Sequence, residues 1–127
     1  MAEITHDQFG PFKIIEVHEP SVGLRGTLVV DNVARGASIG GVRMAPDVSA
    51  AECARLARAM TLKNAAADLP HGGGKSVLYG DPKMPKAQKE QVVRAFACSL
   101  AEVEQLSLIH ISEPTRLWSG SRMPSSA

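Results

Sequence analysis

Three consecutive glycines, Gly72 to Gly74, separate a helix-forming segment from a strand-forming segment. The segment before them is rich in alanine and stops at Pro70, which cannot continue a helix because it lacks a backbone N–H. The segment after them, residues 75–79, is a short run with strand-favouring side chains. The sequence therefore predicts a helix, a glycine turn and a buried strand in succession, which is typical of an α/β protein.

The predicted helix has a start signal as well as a stop. Ser49 and Glu52 form a capping box, in which the serine hydroxyl accepts the Glu52 amide and the carboxylate reaches back to the cap amide. We expect the helix to run from there to about residue 67. Lys63 falls within an apolar stripe that repeats at the helical period and consists of Leu56, Met60, Lys63 and Ala67.

The rest of the predicted fold lies on either side of this unit. Residues 12–19 and 24–31 are strand-like runs joined by a Pro-Ser-Val-Gly turn, which predicts an antiparallel hairpin. Residues 35–44 are expected to form a loop and a short strand. A second helix, about Lys86 to Val103, would be buried through Val92, Phe96, Leu100 and Val103. The expected fold is α/β: an N-terminal β-hairpin joined to a mixed sheet, with two helices packed on it.

Composition excludes several classes of partner. Lys and Arg number 14 against 13 Asp and Glu, so there is no basic excess to bind nucleic acid or an anionic membrane surface. No apolar run approaches the roughly 20 residues that span a bilayer, and residues 1–10 do not resemble a signal peptide. We therefore expect a cytoplasmic protein without nucleic-acid or membrane partners. Cys53 and Cys98 match no metal spacing, so we predict no metal site and two core or half-buried thiols.

Two lysines, Lys63 and Lys75, flank the glycines and are the candidate chemical groups. A phosphate loop is disfavoured, because Leu69 stands where that motif needs its first glycine and a helix precedes it. Burial of Lys63 would require a carboxylate partner, and desolvation of Lys75 would lower its pKa toward that of a working base. Spacing alone leaves another interpretation open, in which Lys63 extends to solvent and Lys75 is a surface residue.

Three motifs in order resemble one family. The segments are Gly40-Gly41-Val42-Arg43, residues 60–64 (Met-Thr-Leu-Lys-Asn) and residues 69–75 (Leu-Pro-His-Gly-Gly-Gly-Lys). They closely resemble the Glu/Leu/Phe/Val dehydrogenases, which oxidatively deaminate an L-amino acid to a 2-oxo acid and ammonia with NAD or NADP. The similarity covers roughly residues 10 to 105, which correspond to the N-terminal substrate-binding and oligomerisation domain. The resemblance therefore implies a homo-oligomer.

The resemblance also implies roles for individual residues. Lys63 would bind the substrate α-carboxylate, and Lys75 would be the catalytic lysine that activates water and stabilises the developing oxyanion. The pocket would be lined by Ile39, Gly40, Gly41 and Met60. Ile39 stands where glutamate-specific members have a lysine, so we expect an apolar substrate such as leucine, valine or phenylalanine. From the residues themselves, His71 and Arg43 are expected to be structural, and direct contact of either with the substrate is the alternative.

The C-terminal segment departs from the family. Residues 106–127 are similar to a translated sequencing adapter, so we expect a truncated domain over residues 1–105 followed by a non-native tail. The chain contains no G-x-G-x-x-G segment, and NAD or NADP would bind a C-terminal Rossmann domain that is missing. This chain alone is expected to be inactive. The alternative is a stand-alone small-anion-binding or oligomerisation module without redox activity.

Overall fold

The computed structural model describes residues 4–101 and the backbone of residues 107–110. They form one five-stranded sheet in the order β1-β2-β4-β3-β5. Its β1–β2 and β2–β4 pairs are antiparallel, and its β3–β4 and β3–β5 pairs are parallel. The elements in chain order are β1 (Lys13–Glu19), β2 (Leu24–Val30), β3 (Ser38–Ala45), α1 (Ala50–Ala66), β4 (Gly72–Tyr79), α2 (Lys86–Ser99) and β5 (Ser107–His110). The expected α/β fold, with its hairpin, mixed sheet and two helices, is confirmed.

The two helices pack against different sides of the sheet. Side chains alternate along a strand, so successive residues face opposite sides. One side forms an apolar core with α2, made of Leu24, Leu28, Val30, Leu78, Val92, Val93, Phe96 and Leu100. The other side packs against α1 through Val29, Val48, Cys53, Ala57 and Val77. We call these the α2 face and the α1 face.

Local signals placed both the hairpin and the start of α1 correctly. The hairpin pairs Lys13 with Val30 and Glu19 with Leu24, and a short 3-10 turn at Pro20–Val22 joins its strands. The Ser49 hydroxyl accepts the Glu52 amide at 3.1 Å, as expected for the capping box. No helix in the described part of the chain is long and apolar enough to cross a membrane.

The glycine turn was predicted wrongly, because Gly72, Gly73 and Gly74 belong to β4 and are all buried. Glycine here meets a need for close approach between backbones. A Cβ on Gly72 would lie 1.6 Å from the Asn32 carbonyl oxygen, so no other residue fits without displacing the chain. The strand therefore begins as soon as His71 has turned the chain back onto the sheet.

Other boundaries and burials also differ from expectation. Lys63 is exposed, because the buried residues of α1 are Ala51, Cys53, Ala57 and Asn64, a stripe rotated away from the predicted one. Helix α2 ends at Ser99, and Val103 lies outside the described residues. Cys53 is buried as expected, whereas Cys98 is exposed on α2.

The sheet extends past the boundary expected at Gln105. The backbone of residues 107–110 pairs parallel with β3, from Ser38 opposite Ser107 to Gly41 opposite His110. The segment Leu-Ile-His-Ile at residues 108–111 contains strand-favouring residues, and the edge of β3 offers it backbone partners. The rest of the expected tail, residues 106 and 111–127, lies outside the described residues.

Candidate functional site

The parallel pair β3–β4 places the two glycine motifs beside each other. Ser38 and Ile39 pair with Gly72 and Gly73, and the ladder resumes at Val42 opposite Ser76 with the same offset. This register sets Gly40 and Gly41 opposite Gly74 and Lys75, at the interruption between the two paired stretches. Residues opposite each other in a ladder face the same side of the sheet. The Lys75 side chain therefore has no neighbouring side chain from Gly41 on its side of the sheet.

The glycine on β3 allows a very close approach to β4. A Cβ on Gly40 would lie 1.6 Å from the Gly74 carbonyl oxygen and 2.4 Å from its carbonyl carbon. Both atoms belong to the backbone and cannot rotate away. Any side chain at Gly40 would therefore push β3 and β4 apart next to Lys75.

The Lys75 side chain is half-buried on the α1 face. Lys75 pairs with Val29, a member of the α1-face core, and stands two residues from Gly73, which touches α1 directly. Its carbonyl accepts a hydrogen bond from Cys53 Sγ at 3.2 Å. Burial raises the pKa of the Cys53 thiol to about 12, so it stays neutral and acts as a donor. The thiol therefore fixes the backbone of Lys75 against the helix.

The C-terminal end of α1 is held against the start of β4. The buried Asn64 side chain donates from Nδ2 to the Gly72 carbonyl oxygen at 2.7 Å. A Cβ on Gly73 would lie 2.1 Å from the Thr61 backbone nitrogen, so the helix backbone rests directly on the glycine. Sequence reasoning missed Asn64, although a polar residue seven positions after Ala57 on the same helix face was a usable signal.

The remaining predicted residues lie along the β3 flank of α1. At about 100° per residue, Lys63 points away from Thr61, and Met60 lies between Lys63 and the buried Asn64. Glu52 points to the same side as Lys63, and its carboxylate lies 3.6 Å from an Arg43 guanidinium nitrogen on β3. Ile39 belongs to the α1 face because it pairs with Gly73. The structure thus brings Ile39, Gly41 and Lys75 to one sheet face, while Met60 is half-buried and Lys63 exposed at its rim.

The opposite flank of α1 holds an ionic cluster that sequence reasoning missed. The Asp31 carboxylate is 1% exposed and accepts from Arg58 Nε at 2.7 Å and from Thr61 Oγ1 at 2.7 Å. Arg58 also donates to both carboxylate oxygens of Asp7 at 2.9 Å. The Arg58 guanidinium holds the pKa of Asp7 well below its usual value. No local sequence signal marked this cluster, because its members are 27 and 51 positions apart along the chain.

Two other polar residues have structural contacts. His71 Nδ1 lies 3.0 Å from the Ala37 carbonyl oxygen and joins the start of β4 to the loop before β3. Arg43 forms the ion pair with Glu52 described above.

A cavity of about 890 Å³ opens elsewhere on the α1 face, beside β1 and β2, where Arg25 stacks on the Tyr79 ring at 4.1 Å. Neither candidate lysine lines it.

Comparison with known proteins gives the same family from sequence and from structure. The family described as Glu/Leu/Phe/Val dehydrogenase, dimerisation domain, matches residues 11–108. A valine dehydrogenase of Streptomyces coelicolor is 38% identical over 65% of this chain and 24% of its own length. A phenylalanine dehydrogenase of Caldalkalibacillus thermarum is 36% identical over 76% of this chain and 27% of its own length. The chain thus spans about a quarter of these curated relatives.

Solved structures agree at the level of the fold. A hetero-hexameric glutamate dehydrogenase from Thermus thermophilus superimposes with a TM-score of 0.74 at 28% identity, covering 85% of this chain and 29% of its own. A glutamate dehydrogenase from Peptoniphilus asaccharolyticus gives 0.71 at 26% identity, covering 89% and 34%.

Proposed function

The chain belongs to the Glu/Leu/Phe/Val dehydrogenase family, and from this membership we propose that it supplies the substrate-binding and oligomerisation domain of an NAD(P)-dependent L-amino-acid dehydrogenase. The reaction would be oxidative deamination to a 2-oxo acid and ammonia. The observation that carries this proposal is the register of β3 against β4, which sets the half-buried Lys75 beside Gly41. Gly41 has no side chain, so β3 adds none to the sheet face beside Lys75 at this position.

The two lysines take different roles. Lys63 stands at the solvent rim of α1, where its ammonium can form a charge-assisted hydrogen bond with the substrate α-carboxylate. Once Cα has lost its hydride and become an imine carbon, the neutral amine of Lys75, held by the Cys53 hydrogen bond to its carbonyl, would accept a proton from the water that adds to this carbon. The resulting ammonium would stabilise the developing oxyanion. The C–N bond would then break as the carbonyl forms, and the protonated nitrogen would leave as ammonia.

The described residues do not fit a dinucleotide. Residues 4–101 contain no G-x-G-x-x-G segment, and Gly72 and Gly73 are enclosed by Asn32 and Thr61 backbone atoms. These glycines cannot approach a phosphate. NAD or NADP, which would accept the hydride, is therefore assigned to a separate domain.

An apolar substrate is favoured over glutamate. Ile39 lies on the α1 face, two residues before Gly41, and offers no donor to a side-chain carboxylate. Leaving such a carboxylate unpaired in a buried site would cost several kcal/mol, as does the transfer of a polar group from water to an apolar environment without a hydrogen-bond partner. The valine and phenylalanine dehydrogenases among the relatives support this choice, as does a leucine dehydrogenase of Bacillus subtilis that is 36% identical over 66% of this chain and 24% of its own length.

Assembly would involve the hairpin. Strand β1 stands at one edge of the sheet, so its outer backbone groups are available to pair with another chain. The matched family model is a dimerisation domain, which supports a homo-oligomer.

Sequencing the gene beyond the codon for Gln105 and assaying the encoded protein tests the proposal. We expect a downstream dinucleotide-binding glycine motif, and NAD(P)-dependent deamination with higher catalytic efficiency on leucine, valine or phenylalanine than on glutamate. A natural stop codon after Gln105 would favour the small-anion-binding or oligomerisation module. Higher efficiency on glutamate than on every apolar amino acid would contradict the role given to Ile39.

A further inference from the structure

Asp31 is a buried carboxylate that the proposed chemistry does not use. It stands directly after β2, is 1% exposed, and accepts three hydrogen bonds from α1. Arg58 donates from Nε at 2.7 Å and from Nη2 at 3.2 Å, and the Thr61 hydroxyl donates at 2.7 Å. A buried charge without partners would be strongly destabilising. The side chain of Asp31 is therefore tied to the C-terminal half of α1.

The backbone of Asp31 is tied to a different element. Its N–H donates to the Gly73 carbonyl oxygen at 2.8 Å, at the start of β4. Gly73 in turn contacts the Thr61 backbone, because it has no side chain to keep the helix away. Asp31, Thr61 and Gly73 thus form a closed triangle of contacts between β2, α1 and β4.

This triangle lies next to both lysines without touching the space between them. Thr61 precedes Lys63 by two residues, and Gly73 precedes Lys75 by two residues. The Asp31 contacts lie on one flank of α1, whereas Lys63 points to the other flank. A shift of Asp31 would therefore move the lysines relative to each other but would remove no substrate contact.

We propose that Asp31 is a positioning residue that sets the separation of Lys63 and Lys75. The inference rests on the function proposed above for the two lysines. Asp31 keeps the carboxylate-binding ammonium of Lys63 and the proton-accepting amine of Lys75 at a fixed distance, because a displacement of about 1 Å in such a site can lower the rate a hundredfold.

Asp7 provides a matched control within the same cluster. It binds the same Arg58 guanidinium through two 2.9 Å hydrogen bonds, but its side chain is 44% exposed and it belongs to the segment before β1. No described contact of Asp7 reaches β4. Removing the charge of Asp7 should release the segment before β1 and leave the distance between Lys63 and Lys75 unchanged.

Cross-linking of the 127-residue chain measures the separation directly. A short bifunctional amine reagent, followed by peptide mapping, gives the yield of the Lys63–Lys75 cross-link, with the Lys83–Lys86 pair as internal reference. We expect Asp31→Asn to lower the Lys63–Lys75 yield several-fold and Asp7→Asn to leave it unchanged. An unchanged yield in Asp31→Asn below its melting temperature would overturn the proposal, and so would the absence of this cross-link in the unaltered chain.

A second variant covers the case in which Asp31→Asn does not fold. Thr61→Val keeps a β-branched side chain of similar shape and removes one of the three donors to Asp31, so we expect an intermediate drop in the cross-link yield. A yield equal to that of the unaltered chain would count against the proposal.

Kinetics of the complete enzyme separate this inference from the proposed function. A variant that only loses stability lowers the active fraction and leaves KM unchanged, whereas Asp31→Asn should raise KM for the amino acid about tenfold as well as lower kcat. If the unaltered enzyme has no deaminase activity, the proposed function is wrong. The cross-linking result then still decides whether Asp31 sets the distance between the two lysines. An active enzyme whose KM is unchanged by Asp31→Asn would overturn the positioning role alone.

Discussion

The two faces of the sheet are packed by different means. On the α2 face the helix and its C-cap residue contribute large apolar side chains, Val92, Val93, Phe96 and Leu100. On the α1 face the buried helix residues are small, Ala51, Cys53, Ala57 and Asn64. Large side chains hold α2 to the sheet through buried apolar area, roughly 1.5–3 kcal/mol for each fully buried residue. Small residues instead let the backbone of α1 touch the backbone of β4.

The difference bears on the proposed site, whose candidate residues lie on or beside the α1 face. An interface of flexible apolar side chains tolerates small shifts, because rotamers can adjust. At the α1 face the contacts are backbone on backbone at Gly73, or hydrogen bonds to backbone atoms from Asn64 and Cys53. Such contacts fix positions closely, and both candidate lysines stand beside them. We infer that the α2 face mainly stabilises the domain and that the α1 face mainly sets geometry.

The largest expected effect is on catalysis from the α1 face. In the complete enzyme, Lys75→Ala should lower kcat by about a thousandfold, the order of loss for a general acid–base group. Lys83→Ala, in the exposed segment before α2, is the matched control and should leave kcat unchanged. Steady-state deamination assays measure both variants, and near-normal turnover in Lys75→Ala would remove the assignment.

Glycine substitutions compare the two faces in stability. A Cβ on Gly73 meets the Thr61 nitrogen at 2.1 Å and the Ala57 carbonyl oxygen at 2.5 Å, both backbone atoms. A Cβ on Gly26, on the α2 face, meets the end of the Leu78 side chain at 2.8 Å and the Val77 carbonyl oxygen at 3.0 Å, so its tightest contact is with a side chain that can rotate. We expect Gly73→Ala to lower the free energy of unfolding by about 3 kcal/mol and Gly26→Ala by about 1 kcal/mol, within the usual range for overpacking.

Urea unfolding of the 127-residue chain gives both values. Equal losses for the two variants would mean that the α1 face adjusts as readily as the α2 face, which would contradict the distinction drawn above.

Local signals predicted the elements of the fold but not the close contacts between them. The capping box at Ser49 and the turn at residues 20–23 act within a few residues, so both were placed correctly. Gly72 to Gly74 were assigned to a turn because glycine favours turns, whereas their role depends on Asn32 and Thr61, which are distant in sequence. Close approach between backbones has no signature in a single sequence other than glycine itself.

The site was predictable as a motif and not as a geometry. Lys63 was placed in an apolar stripe because Leu56 and Met60 share its period, yet small residues form the buried stripe of α1. Hydrophobicity patterns favour large side chains and therefore point to the wrong side of a helix that packs through alanine and cysteine. The placement of Gly41 opposite Lys75 depends on strand register, and the contacts of Asp31 depend on tertiary structure.

A smaller effect is expected at the rim of the α1 face. Lys63 is exposed and is assigned an electrostatic contact with the substrate, so Lys63→Ala should raise KM about tenfold with a much smaller change in kcat. Arg55→Ala removes another exposed cation from the same helix and should leave KM unchanged. If Lys63→Ala lowered kcat as strongly as Lys75→Ala, the division of roles between the two lysines would be wrong.

The smallest effect is expected at the outer end of the ionic cluster, from the pH dependence of Asp7. Its hydrogen bonds with Arg58 hold the folded-state pKa of Asp7 well below the ordinary value of 3.8. A carboxylate with a lowered folded pKa adds stability above its unfolded pKa, and that stability is lost as the pH falls through the folded pKa. Because Asp7 lies at the surface, solvent keeps the contribution small. The melting temperature of Asp7→Asn should therefore lie slightly below that of the unaltered chain. The difference should be the same near pH 7 and pH 5 and should shrink near pH 3. Asp47→Asn, at another exposed aspartate, is the control. Equal melting temperatures for Asp7→Asn and the unaltered chain at pH 7, pH 5 and pH 3 would mean that the folded-state pKa of Asp7 is ordinary and that Arg58 is held by Asp31 alone.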